Sequence, residues 1–330
     1  MDIVRADPYK GILSPAALRS FSITKQFRDN RSSITSLDFD STGSRVITTS
    51  QDESLHIYDT DAGVRRQVLY SKKYGCDLAQ FTKHVGSIVH ASTKVNDEIR
   101  YMSLETNQYI RYFAGHTSKV ISMTTCSTNS LVSGDKDGCV HLWDLKQPKS
   151  IGSINVNARA LVDCDENGLT IAAANGKSGE ISLFDVRYLE KGAFSSTQLD
   201  VFGQQIDNLQ VMPPSGDHLL VTLDNGSHTV VNAFSLQPTL YLRAPRSSSK
   251  QPVQQRCTVT PDGNAVIAGC ADGSIAMWDL VGMEERGRSV DVSCVWDGLH
   301  DDGAVNVCAF NPHSLMCVTG SESLAFWTVR

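Results

Sequence analysis

The feature that most constrains this chain is a spaced set of marks: Gly115-His116, then Ser133-Gly134-Asp135-Lys136-Asp137-Gly138, then Trp143-Asp144. A Gly-His pair, a short apolar strand, a tight turn rich in Asp and Gly, and a strand closing on an aromatic-Asp pair describe one four-stranded antiparallel unit. The same ending recurs at Tyr58-Asp59, Phe184-Asp185 and Trp278-Asp279, and in weaker form at Ser103-Leu104, Asn232-Ala233 and Trp327-Thr328. An apolar strand running into a Gly or Pro turn precedes most of them, as in Val259-Thr260-Pro261-Asp262-Gly263 and Phe310-Asn311-Pro312. A unit of this kind cannot bury both of its faces alone and must stack on copies of itself.

Units of roughly 40–45 residues divide the chain into about seven. The expected fold is therefore all-β, a seven-bladed WD-repeat β-propeller. Segments such as Val46-Ile47-Thr48-Thr49 and Ala265-Val266-Ile267-Ala268 are short, β-branched and apolar, as strands covered on both faces should be. Pro15 to Arg19 is too short to count as a helix. A ring must close, or its first and last sheets expose bare edges. Phe21–Phe27 has strand composition and no other home, and the last repeat, ending at Trp327, lacks an outer strand, so the N-terminal strand is expected to complete it. Residues 1–15 are expected to be a flexible arm and 16–330 a single propeller. Two long loops are expected: the Ser-rich, basic 243–252, with Ser247, Ser248 and Ser249 as candidate phosphorylation sites, and 282–303, holding one outer strand between mobile ends.

Composition narrows the function. A net charge of −6 argues against direct nucleic-acid binding by long-range attraction. No run approaches a membrane helix in length, and the start, Met1 to Tyr9, lacks the apolar core of a secretory signal. Nine cysteines, an odd number with no C-x-x-C pair, read as reduced core residues. Glycines mark turns and never form a phosphate-binding loop. His56 and His141 have no further ligands at metal-binding spacing and read as strand residues. No cofactor, no metal and no catalytic residue is expected.

His116, Ser133, Asp137 and Trp143 could be mistaken for a catalytic Ser-His-Asp set. A buried hydrogen-bond chain, Asp to His to Ser to the indole N–H, explains them better, because a nucleophilic Ser needs an exposed turn. Loss of Asp137 is therefore expected to cost stability rather than a reaction. In Tyr70-Ser71-Lys72-Lys73-Tyr74-Gly75, two lysines flanked by tyrosines offer point charge beside apolar surface, suited to an acidic or phosphorylated peptide; the alternative is a merely solvated loop. The triplets Ile99-Arg100-Tyr101 and Ile110-Arg111-Tyr112 place Arg100 and Arg111 in strands of one blade, as internal ion-pair residues or as rim contacts.

Several of these stretches carry a more specific likeness. Leu69-Tyr70-Ser71-Lys72-Lys73-Tyr74-Gly75, Ile99-Arg100-Tyr101-Met102-Ser103-Leu104, Tyr109-Ile110-Arg111-Tyr112-Phe113-Ala114-Gly115-His116, Lys191-Gly192-Ala193-Phe194 and Ala325-Phe326-Trp327 resemble the Swd-two subfamily of WD-repeat proteins. The likeness runs from Leu18 to Trp327 and is weakest from Val201 to Gln255. It implies a non-catalytic nuclear subunit of COMPASS-type complexes that methylate a histone lysine. It also implies a place in transcription-termination and mRNA 3′-end processing complexes, with polyadenylation factors or with protein phosphatase one and its nuclear targeting subunit. Contact with the phosphorylated C-terminal repeats of RNA polymerase II is a further implication, and it gives Lys72, Lys73, Tyr74, Arg100 and Arg111 a use. The competing reading is a substrate receptor of a cullin-type ubiquitin ligase. Phe184-Asp185-Val186-Arg187 approximates the W-D-x-R of such receptors, but Trp143-Asp144-Leu145-Lys146 lacks the Arg.

Overall fold

The computed structural model describes residues 13–244, 257–283, 287–296 and 303–329. Among the described residues, seven sheets follow one another around a ring, antiparallel throughout except for one added parallel strand. Blades 1 to 6 span 34–70, 77–113, 120–155, 160–198, 206–242 and 258–296, and blade 7 joins the last three strands, Val307–Phe310, Met316–Gly320 and Leu324–Val329, to Phe21–Phe27. The closing strand lies antiparallel to the last one, Phe21 opposite Val329 and Phe27 opposite Leu324. Aromatic contacts fix it: the Phe21 ring centroid lies 5.0 Å from that of Trp296, and that of Phe27 lies 4.8 Å from Tyr58.

The core lies between neighbouring sheets rather than at one centre. Ile47, Leu55 and Ile57 of blade 1 pack on Phe81, Ile88 and Met102 of blade 2, and equivalent clusters fill the other junctions. Along the central channel, where adjacent inner strands are too splayed to form a ladder, side chains supply the missing hydrogen bonds. Asp38 Oδ2 accepts from the Phe81 N–H at 2.8 Å, Gln80 Oε1 from Thr125 N–H at 3.1 Å and Ser122 Oγ from Val162 N–H at 3.0 Å. Asp163 Oδ2 then accepts from Val211 N–H at 2.7 Å and Thr258 Oγ1 from Phe310 N–H at 3.2 Å. Each stitch joins one blade to the next and satisfies a backbone donor facing the channel.

Four features depart from the sequence reading. Pro15–Arg19 does form a helical turn, with the Ser14 hydroxyl accepting from Ala17 N–H at 3.2 Å. Leu18 is buried and Leu13 packs on the blade 6–7 cluster, so residues 13–15 of the expected arm belong to the packed body; residues 1–12 lie outside the described residues. Among the described residues of 282–303 there are two strands where one was expected. Arg288–Val290 runs parallel to Pro238–Leu242 as a fifth strand of blade 5, and Cys294–Trp296 is the outer strand of blade 6. Residues 245–256, with Ser247, Ser248 and Ser249, lie outside the described residues, as do 284–286 and 297–302. Finally, Cys126 and Cys164 are joined in a disulfide, with Cα atoms 5.7 Å apart. Cys164 ends the inner strand of blade 4 and Cys126 directly follows that of blade 3, so the ring sets them side by side.

Candidate functional site

Blade 3 holds the polar chain, with one member exchanged. His116 Nδ1 lies 2.9 Å from Asp135 Oδ2, His116 Nε2 lies 2.6 Å from Ser133 Oγ, and the Trp143 indole N–H donates to Ser133 Oγ at 2.8 Å. Asp135, not Asp137, is the acid. Ser133 and Asp135 are two apart in the strand Ser130–Asp135 and so share a face, the one turned to His116. Asp137 lies in the following turn, exposed, and only its backbone N–H joins the network, donating to Asp135 Oδ1 at 3.0 Å. Cys139 N–H donates to the same oxygen at 2.9 Å.

Directionality follows from these contacts. A carboxylate only accepts, so Nδ1 carries the imidazole proton; Nε2 then accepts from the Ser133 hydroxyl, whose oxygen accepts from Trp143. Burial holds His116 below its ordinary pKa, against the opposing pull of Asp135, which keeps the ring neutral. Ser133, Asp135 and Trp143 are all fully buried, so no substrate reaches the hydroxyl. Blade 7 repeats the last link, with the Trp327 indole donating to Thr319 Oγ1 at 2.9 Å.

A different arrangement stands between blades 1 and 2. The Ser71 carbonyl accepts from Tyr74 N–H at 3.2 Å and from Gly75 N–H at 2.6 Å, which closes a tight turn over Lys72 and Lys73. Gly75 takes φ +70°, left-handed backbone that favours glycine, and a Cβ there would run into Thr93 Oγ1. The Tyr74 carbonyl accepts from Thr93 and Lys94 N–H at 2.9 and 2.8 Å, tying the turn to a loop of blade 2. Lys72 and Lys73 are exposed, with Nζ 5.5 Å from the Tyr70 ring centroid and 4.9 Å from that of Tyr74. Among the described residues neither has a carboxylate partner.

Arg100 is not part of that surface. It is 1% exposed, and its guanidinium lies 3.5 Å from the Tyr74 ring centroid, 4.8 Å from Tyr112 and 5.4 Å from Tyr109. Its Nε donates to Ser92 Oγ at 2.9 Å, and Nη2 to Glu98 Oε2 at 3.2 Å and Asn96 Oδ1 at 3.4 Å. A cation in the third strand of a sheet covered on both faces must find its partners inside, and this one does. Its role is to seat Tyr74 from beneath, where no ligand reaches it. Arg111 also turns away: its Nη1 donates to the Leu145 carbonyl of blade 3. Of the five residues expected to form a contact site, the structure brings Lys72, Lys73 and Tyr74 together and uses Arg100 and Arg111 for packing.

Comparison with known proteins fits this architecture. The family model described as WD domain, G-beta repeat matches residues 21–59, 107–144 and 248–279. WD repeat-containing protein 82 of Drosophila melanogaster is 33% identical over 96% of each chain. The COMPASS component SWD2 of Saccharomyces cerevisiae is 30% identical over 89% of this chain and 90% of its own. The Set1 complex component swd2 of Schizosaccharomyces pombe is 33% identical over 70% of this chain and 62% of its own. This chain belongs to the Swd2 family of WD-repeat proteins. In this Swd2-family propeller the aromatic support of the lysine turn was not anticipated from sequence. Its signal was the doubled Ile-Arg-Tyr triplet: the antiparallel pairing sets Arg100 opposite Tyr112 and Tyr101 opposite Arg111.

Proposed function

We propose that this propeller is a non-catalytic scaffold subunit of nuclear complexes for histone lysine methylation, transcription termination and mRNA 3′-end processing, and that the Lys72–Lys73 turn contacts the phosphorylated C-terminal repeats of RNA polymerase II. The family membership and the names of its yeast relatives, a COMPASS component and a Set1 complex component, support the assembly role. The burial of Ser133 supports a non-catalytic reading. The observation that carries the contact is the turn itself: two exposed ammonium groups with no carboxylate partner among the described residues, each beside a tyrosine ring, on a backbone shaped by Gly75 and braced by Arg100. Such a surface gives phosphate two point charges and gives the intervening apolar or proline residues a ring to pack on.

Affinity purification of the tagged chain followed by mass spectrometry is expected to retain Set-type methyltransferase subunits, together with polyadenylation factors or protein phosphatase one and its nuclear targeting subunit. Recovery of a cullin-ligase adaptor in their place would overturn the assembly role. Arg187 does not favour that alternative, since its Nε and Nη2 donate to its own neighbour Asp185 at 2.9 and 2.6 Å. For the contact, fluorescence anisotropy with a labelled polymerase-repeat peptide should show binding only when the peptide is phosphorylated. The double variant Lys72→Glu, Lys73→Glu should weaken binding by about tenfold or more, since reversing two charges beside a phosphate costs at least ~1.4 kcal/mol. Both side chains are exposed, so the melting temperature should not move. Equal affinity in parent and variant would remove the assignment.

A further inference from the structure

We infer that the cleft between blades 4 and 5, on the face opposite the Lys72–Lys73 turn, docks an extended segment of a partner protein that presents a bulky apolar side chain next to lysine or arginine. The faces are separated by topology. In a four-stranded meander the links from first to second and from third to fourth strand emerge on one side of the ring, and the remaining links on the other. The cleft is framed by links of the first kind, 165–169 in blade 4 and 212–217 and 233–237 in blade 5, whereas Lys72 and Lys73 lie on the link between two blades.

The cleft encloses about 490 Å³, within the range of sites that take a side chain or small ligand. Leu183 of blade 4 and Val211 and Leu219 of blade 5 line it. Two phenylalanines stand at its mouth, Phe194 from blade 4 at 61% exposure and Phe234 from blade 5 at 79%. Single exposed apolar residues are ordinary, but two exposed phenylalanines, one from each blade, lining the same cavity as Leu183, Val211 and Leu219 are the mark of an interaction surface. Both rings line the cavity and keep most of their surface exposed, so a side chain entering it would bury apolar surface against them.

Charge names the neighbour of that side chain. Asp165 and Asp217 also line the cleft, and neither has an ion-pair partner among the described residues. Asp165 Oδ1 is taken by the backbone N–H groups of Leu169 and Thr170, at 2.7 and 2.8 Å, which fixes the carboxylate in place without neutralising it. Arg187, the one arginine within residues 160–198 of blade 4, is held by Asp185. An apolar cavity with two unneutralised carboxylates selects a basic-apolar segment and repels an acidic one, the reverse of the preference assigned to the lysine turn.

The test is selection of short random peptides displayed on phage against the full chain, followed by anisotropy titration of the enriched peptides. Enrichment of sequences with Leu, Met or an aromatic residue adjacent to Lys or Arg is expected. Their affinity should fall at least tenfold in Phe194→Ser, Phe234→Ser, both of them exposed positions whose change leaves the core intact. Asp217→Lys should weaken them as well and should bind better when the peptide's basic residue is changed to Glu. The Lys72→Glu, Lys73→Glu variant should leave these affinities unchanged, so failure here and failure of the polymerase contact are separable. No enriched peptide, enrichment without the basic residue, unchanged binding in the double Ser variant, or self-association of the chain through these two phenylalanines would each overturn the inference.

Discussion

Asp135→Ala will lower the melting temperature of this propeller by roughly 5–10 °C, while Asp137→Ala will melt with the parent. Asp135 is fully buried and accepts from three donors: the His116 ring, Asp137 N–H and Cys139 N–H. Truncation leaves the His116 ring and the Cys139 N–H without this acceptor, while Asp137 N–H keeps Ser118 Oγ at 3.2 Å, and the loss passes along the chain to Ser133 and Trp143, whose partners are set by the His116 tautomer. Breaking a buried charged network costs about 3–5 kcal/mol, and for a domain of this size each kcal/mol moves the midpoint by about 2 °C. Asp137 is exposed and contributes only its backbone N–H, which the Ala variant keeps. Asp135→Asn should fall between the two. Its carbonyl oxygen can keep one acceptor role, while its amide, if turned to the ring, would force the imidazole proton onto Nε2. Calorimetric melts of the three variants at one pH, with nitrogen NMR of His116 for the tautomer, check the argument. A loss in Asp137→Ala equal to that in Asp135→Ala would sink it.

That pair of aspartates also shows what could be read before any coordinates. Blade endings such as Trp143-Asp144, Trp278-Asp279 and Trp327-Thr328 mark themselves, because a strand's residue types and the turn after it are local. The closing role of Phe21–Phe27 was legible too, since an orphan strand and a three-stranded last blade answer each other. Which aspartate serves the His116 chain was not, because both sit at one turn and only side-chain alternation through Ser133 separates them. Arg100 was narrowed to two roles by burial logic and decided by register. Contacts made between blades left no local trace. The Cys126–Cys164 bond joins adjacent blades, and Arg288–Val290 adds to a sheet other than its own blade's. The Phe194–Phe234 cleft exists only where two separate links converge.

Acidification from pH 7.5 to 5 will destabilise the chain, through histidines sealed in the blades. His90 and His228 are 0% and 1% exposed, and burial pushes each down to about 4. The His228 ring lies 4.9 Å from Trp278 with Nδ1 on Thr222, and among the described residues neither histidine's Nε2 has a hydrogen-bond partner. A histidine held below its unfolded value stays neutral in the fold while the unfolded chain protonates. The stability it contributes is complete above about pH 6.5 and is lost as pH falls toward 4. Over this interval each costs about 2 kcal/mol. Burial also holds His56, His116 and His141 below their ordinary value, with the same sign. Two channel carboxylates oppose them. Burial pushes Asp38 up to about 7 and Asp163 up to about 6, so their contribution is present at low pH and fades as pH rises through those values. Both line the open channel and are only half-buried, so water there weakens their effect, whereas the two histidines are dry. The histidines therefore prevail, and the melting temperature falls with pH. Asp38→Asn, which keeps an acceptor for Phe81 N–H, removes an opposing group and should steepen the fall; His228→Asn should flatten it. A melting temperature that rises from pH 7.5 to 5 would mean that the channel carboxylates outweigh the histidines.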